Sequence, residues 1–395
     1  MSFATKVSTA KDRGIRSVSE FVTHFSTGDV REEISLGTYV AFFRMAMSLF
    51  DEHSPQGRAL GALSNFGGLR RTFPLAFSAL DRSQIGVVAA LRVLDPASIR
   101  QQQTETCGPT ALIIDLCRRD PAAYADLVIN LAESGRATLG SIELQPGTHV
   151  TQRPPSQLCN MAQADWIAIV SLRDTVSGTL TDMLSRIDGT DIWGRGVIPA
   201  NIYDWLVGCG YATVALIGES SAAHALTGAR TKYMRSTNGG LPGFGAMGTS
   251  EKDALALADL GVKLGWSVFL LIKASLDTVL QAGTKAYEMS ALTPLAAPKA
   301  LSALTTPAAL LDRQQRLDAI DARSGQLRSS LGNASKSFMK STDTAGHCML
   351  LLDLEVGKYL VSCTVANRGQ VMFHHSLPIN AFLGTLRAVV VASDR

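Results

Sequence analysis

No apolar run in this chain is long enough to cross a bilayer. The longest, such as VFLLI and CMLLLDL, fall well short of the about 20 residues a spanning helix needs. No two of the six cysteines, Cys107, Cys117, Cys159, Cys209, Cys348 and Cys363, stand as a CxxC pair, which removes the commonest zinc and redox signatures. Charge of neither sign is bunched. The 37 Lys and Arg residues are spread against 34 Asp and Glu, for a net charge of +3, so the basic stripe of a nucleic-acid binder is missing. The N-terminal stretch MSFATKVSTAKDRGIRSVSEF has no apolar h-region, so no Sec-type signal is expected. Without a signal, the six thiols read as free rather than as a disulfide framework. A cytoplasmic protein is expected, or one exported by a dedicated secretion system, which the Ser/Thr-rich N-terminus suits.

What is present is a globular composition, 46% hydrophobic and 18% charged. A chain of 395 residues has room for two or three domains, or for one large domain with insertions. Residues 15–94 read as helical: VREEISLGTYVAFFRMAMSLFDEH and RSQIGVVAALRVLDP carry apolar residues at helical spacing, and Asp95-Pro96 stops the second. Thr110 to Arg119 reads as a helix, and AAYADLVINLAESG as another, closed by Gly135. QADWIAIVSLRDT is a buried helix or a buried strand, and its pattern leaves both open. IPANIYDWLVGCGY reads as a helix, ATVALIG and WSVFLLIKASL as strands. Gly243-x-Gly245-x-x-Gly248 formally matches a dinucleotide fingerprint, but the residues before it are polar and Gly/Pro-rich rather than a hydrophobic strand, so a loop is expected. Residues 276–345, rich in Ala, Leu, Ser and Thr, read as an insertion. The C-terminus then changes character: GHCMLLLDLEVGKYLVSCTVANRGQVMFHHS reads as β-hairpins turning at EVGK and ANRG, LPINAFLGTL as a short helix, and RAVVVA as a last strand.

The stretch that carries chemistry is SIRQQQTETCGPTALIIDLCRRD, Ser98 to Asp120. A thiol attacks well only as a thiolate, and a free cysteine ionises near ~8.5, so a nucleophile needs help. Unpaired amides and the dipole at a helix N-terminus favour the anion, and Cys107 stands just ahead of the expected helix. Gly108 allows close backbone approach, and proline is tolerated in a first helical turn. An oxyanion needs donors. The Cys107 amide is one candidate; the Gln101 carboxamide is another, with Gln102 and Gln103 as substitutes if the loop is shifted. Cys117, ten residues further on, is beyond the dipole's reach and reads as structural.

Gln-x5-Cys-Gly opening a helix resembles the start of papain-like cysteine peptidases, and the form CGPTAL is most similar to the branch with the bacteriocin-leader peptidases and related bacterial effectors. The resemblance covers about residues 99–395, leaving 1–98 as a helical N-terminal region and 276–345 as an unmatched insertion. It implies an α+β fold with a helical N-terminal half and an antiparallel β C-terminal half. It implies a Cys-His-Asn/Asp site, no cofactor, no metal, and a protein or peptide substrate. The family's histidine starts a strand in the β half. Of the seven histidines, His347 in AGHCMLLLDLE fits that place. Asp353 lies six residues along the same strand, about 20 Å away at about 3.3 Å per residue. Folding back about Gly357 sets Asn367 opposite His347. The expected set is therefore Cys107 as nucleophile, His347 as base, Asn367 to hold the imidazole and Gln101 at the oxyanion. Where the nearest branch has Asp-Pro, this chain has Asn367-Arg368.

Three other functions use the same residues differently. Acyl transfer, deamidation and transglutamination pass through the same thioester. A protein that kept the fold and lost catalysis would only bind. His347, Cys348, Cys363, His374 and His375 are zinc-type ligands, but their spacing matches no compact zinc module, and Cys348 should face away from His347.

Overall fold

The computed structural model describes residues 1–25, 30, 32–68, 74–102, 104, 106–153, 155, 159–177, 199–220, 231–237, 247–273, 346–367 and 369–393. The 276–345 insertion, most of the glycine fingerprint, His224 and Gln103 lie outside them. The chain divides into two compact units, Met1–Trp193 with Asn367–Gln370, and Gly194–Ala366 with Val371–Arg395. Its class is α+β.

The first unit is built of helices. Five precede the Cys107 region: α1 (Phe3–Arg13), α2 (Val18–Phe25), α3 (Leu36–Met47), α4 (Pro55–Gly67) and α5 (Arg82–Leu94). Ser2, Ser35, Ser54 and Asp81 cap four of them, each side chain accepting an N–H of the first turn. The amphipathic faces meet through Phe3, Phe21, Phe25, Phe42 and Phe43, whose rings contact one another at 4.6–5.6 Å between centroids. α5 ends at Asp95, before Pro96, as the residue pair requires.

Next come α6 (Cys107–Arg119) and α7 (Pro121–Ser134). Asp120 ends the first and caps the second, accepting the Ala123 N–H. Gly135, at φ 67°, closes α7 in the left-handed conformation. Two short strands, β1 (Ala137–Leu139) and β2 (Ile142–Leu144), form an antiparallel hairpin. After α8 (Thr148–Thr151), α9 (Gln163–Asp165), a π-helical turn over Trp166–Val170 and α10 (Ser171–Ser177) run on as one helix. This is the segment whose pattern left helix and strand open. Every residue from Ala164 to Leu172 is buried, so no polar face was left to show the period.

The second unit is a seven-stranded sheet with helices. Its elements are α11 (Pro199–Gly208), β3 (Thr213–Ser220), β4 (Thr231–Ser236), α12 (Glu251–Lys263), β5 (Ser267–Lys273), β6 (Gly346–Val356), β7 (Leu360–Asn367), β8 (Gln370–Pro378), α13 (Ile379–Thr385) and β9 (Leu386–Ser393). The order is β4-β3-β9-β5-β6-β7-β8, so the last strand slots into the middle, antiparallel to both β3 and β5. One face carries Ala215, Ile217, Val268, Leu270, Ile272, Met349, Leu351, Val389 and Val391, covered by Ala254, Leu257 and Ala258 of α12. Gly261 lets α12 sit close: a Cβ there would lie 2.7 Å from Val268 Cγ2 and 3.0 Å from Val391 Cγ1.

The β6–β7 hairpin departs from the expected register. Its tight turn is Lys358-Tyr359, with Gly357 N–H donating to Leu360 O at 2.9 Å, one and a half residues later than a turn centred on Gly357. A bulge between Leu351 and Asp353 takes one residue back on β6. The net offset is two. Leu350 faces Ala366, where folding about Gly357 would set Thr364. Asn367 is therefore not the direct partner of His347. An even offset leaves the alternation of faces unchanged.

Candidate functional site

The helix that carries the thiol starts earlier than its apolar pattern indicates. Cys107 is the first residue of α6, not a residue ahead of it, and Thr106 is the cap. Gly108 and Pro109 complete the first turn, and Thr110 makes the first intrahelical bond, its N–H donating to Thr106 O at 2.8 Å. Pro109 has no N–H, and the Cys107 and Gly108 amides lie in the first turn, where no carbonyl of the helix itself can take them. The far end of α6 is held by Asp115, fully buried, which accepts from Arg118 Nη2 at 3.2 Å and Arg119 Nε at 3.0 Å.

The loop before α6 is tied to it by a line of short bonds. Gln101 O accepts both the Thr104 N–H (3.2 Å) and the Thr104 hydroxyl (2.6 Å), and the Thr104 and Thr106 hydroxyls bond each other at 2.7 Å. Gln102 sits at φ 53°, a left-handed kink uncommon for a side-chain-bearing residue. The Gln101 residue is 8% exposed. Cys107 is 6% exposed.

Asn367 belongs to the same unit, in the segment Asn367–Gln370. The turn after it passes close to the loop: a Cβ on Gly369, at φ 81°, would lie 2.1 Å from Arg100 Cγ, the residue next to Gln101. Along β7, Val361, Cys363 and Val365 point into the core face, and the alternation carries Asn367 to that side.

His347 belongs to the other unit, as the second residue of β6. It pairs with Ile272 of β5 and is buried. Cys348 pairs with Leu271 and faces the other way, as expected. Asp353 lies at the bulge opposite Thr364, with its Oδ1 accepting the Leu354 N–H at 2.9 Å, and not near the turn. Among the described residues no group of three His, Cys, Asp or Glu side chains could hold a metal ion, and no helix is long and apolar enough to cross a membrane.

Cys117 is buried in the packing of α6, its thiol donating to Arg92 O at 3.4 Å. Burial pushes this thiol well above the ordinary cysteine range. The residue that sequence reasoning missed is Asp165. Its carboxylate is fully buried and pairs in two-pronged fashion with Arg92, through Nε at 3.0 Å and Nη2 at 2.8 Å. The signal was present: Asp165 is the one charge in AQADWIAIV and Arg92 the one charge in IGVVAALRVL, and a charge inside such a run implies a partner.

No family model matches the chain, no curated protein matches it, and no solved structure matches it.

Proposed function

We propose that the chain is a thiol hydrolase of papain-like organisation that cleaves a peptide or isopeptide bond in a selective protein substrate. The observation that carries this reading is Cys107 as first residue of α6, six residues after the buried Gln101. A helix N-terminus favours a thiolate, and an N–H donor held in place costs little reorganisation when an oxyanion forms. His347 at the start of a strand and Asn367 at the end of the next supply the types a base and its orienting partner require.

In this mechanism the His347 imidazole takes the Cys107 proton, and the sulfur attacks the scissile carbonyl carbon. The oxygen, now anionic, accepts from the Cys107 N–H and the Gln101 NH2. Collapse breaks the C–N bond as imidazolium protonates the leaving amine, leaving a thioester. Water, deprotonated by the imidazole, attacks the thioester and releases a carboxylic acid and the free thiol. Asn367 holds the ring so that the correct nitrogen meets sulfur. Water as the second nucleophile makes the reaction a hydrolysis; an amine would make it a transfer.

The test is hydrolysis of p-nitrophenyl acetate. Cys107→Ala and Cys107→Ser should each lose at least about 100-fold in turnover while melting within a few degrees of the parent. Cys117→Ala should keep turnover. Full activity in Cys107→Ala, or a large loss of stability with it, would show a structural thiol.

A further inference from the structure

The buried Arg92–Asp165 pair lies under the loop that leads to Cys107. Besides Arg92, Asp165 Oδ2 accepts the Arg100 N–H at 3.1 Å. Arg92 reaches on: Nη1 donates to Ser98 Oγ at 3.0 Å, the Ser98 hydroxyl donates to Asp95 O at 2.6 Å, and the Arg92 carbonyl receives the Cys117 thiol of α6. One carboxylate thus ties α5, the 95–100 segment and, through Arg92, the last turn of the helix that begins at Cys107. From Arg100 the line continues through the Gln101 carbonyl, Thr104 and Thr106 to Cys107 itself.

We propose that Asp165 is a positioning residue, which through Arg92 and the Arg100 N–H fixes the direction of the Gln101 carboxamide relative to Cys107. The bonds of Asp165 to Arg92 and to the Arg100 N–H act on the backbone of the loop, so its effect runs through backbone placement. Two features make the loop depend on it. The kink at Gln102 is not an intrinsic preference of glutamine, so surrounding bonds must hold it. Among the described residues between Ile99 and Thr106, three backbone amides are held by bonds: Ile99 to Pro96 O, Arg100 to Asp165, and Thr104 to Gln101 O. Loss of the Arg100 bond frees the stretch that carries Gln101.

The experiment compares hydrogen exchange by mass spectrometry in the full-length parent, Asp165→Asn, Arg100→Pro and Arg100→Ala. Arg100→Pro removes the donated N–H without touching the buried pair, and the extended Ile99 (φ −61°, ψ 128°) accepts a following proline. Arg100→Ala keeps the N–H. Peptides covering 99–106 should exchange about 10-fold faster in Asp165→Asn and Arg100→Pro, with α7 unchanged, and Arg100→Ala should resemble the parent. No change at 99–106 in Arg100→Pro, or the same change in Arg100→Ala, overturns the proposal. A second arm rests on the thiol-hydrolase reading and uses p-nitrophenyl acetate. Asp165→Asn should lower kcat about 10- to 100-fold with KM within about 2-fold, and should cost nothing further in a Gln101→Ala background. An equal loss in both backgrounds would mean general damage and overturn the role through Gln101. A parent with no turnover but the expected exchange pattern would remove the hydrolase reading and leave the positioning role standing.

Discussion

Asn367 and Asp353 compete for one role, and the hairpin separates them. Asp353 spends one oxygen on the Leu354 N–H at a bulge, whereas Asn367 ends β7 next to the turn that packs on Arg100. Asn367→Ala should lower p-nitrophenyl acetate turnover by about 10- to 10⁴-fold, because an imidazole without its orienting partner presents the wrong tautomer or angle. Asp353→Ala should change it less than about 3-fold. Rates in which Asp353→Ala is the dead variant would reassign the third residue. At the same scale, Cys363 offers a pH test that needs no substrate. Burial, with the Asp353 carboxylate adding to it, pushes this thiol from the ordinary 9.0 to about 12. The unfolded chain therefore releases the proton first. Stability from the neutral buried thiol is complete below pH 9 and is lost as pH rises towards 12, at about 1.4 kcal/mol per pH unit for one group. Denaturant melts of Cys363→Ala against the parent should show the parent falling more steeply across that window; parallel curves would contradict the burial.

Among the elements, α12 shows how packing overrides local preference. Alanine at position 261 is worth about 1 kcal/mol more than glycine in a helix interior. A Cβ would press on Val268 and Val391 of the sheet, and overpacking costs about 1–3 kcal/mol. Gly261→Ala should therefore lower the midpoint of unfolding, and a rise would mean that α12 does not sit on β5 and β9 as described. Most elements were legible for such local reasons. Capped and proline-stopped helices such as α5 and α7, and the strands of the C-terminal meander, carry their punctuation in sequence. Three things were not legible. The Ala164–Leu172 helix has no polar face to betray its period. The start of α6 at Cys107 lies ahead of the first apolar residue of its pattern. The β6–β7 register depended on a bulge that no residue type announces. At the proposed site, the nearness of Cys107 and Gln101 was legible, because both belong to one short loop and helix start. Asp165 was not singled out, since its partner Arg92 stands 73 positions earlier and only the fold joins them.

At the scale of the whole molecule, Gln101, Cys107 and Asn367 belong to one unit and His347 to the other. A reactive thiol in this chain must be distinguished from five others. Burial raises Cys117, Cys159 and Cys363 above the ordinary thiol range, so these three have a reason to be slow; Cys348 is buried like Cys107, and Cys209 is half-buried. The most direct measurement is a limiting dose of iodoacetamide on the folded full-length protein at pH 7, followed by peptide mapping. The account predicts that Cys107 is carboxamidomethylated first and that the adduct abolishes p-nitrophenyl acetate turnover in proportion to labelling. Preferential modification of Cys117, or complete labelling of Cys107 with turnover intact, would contradict it.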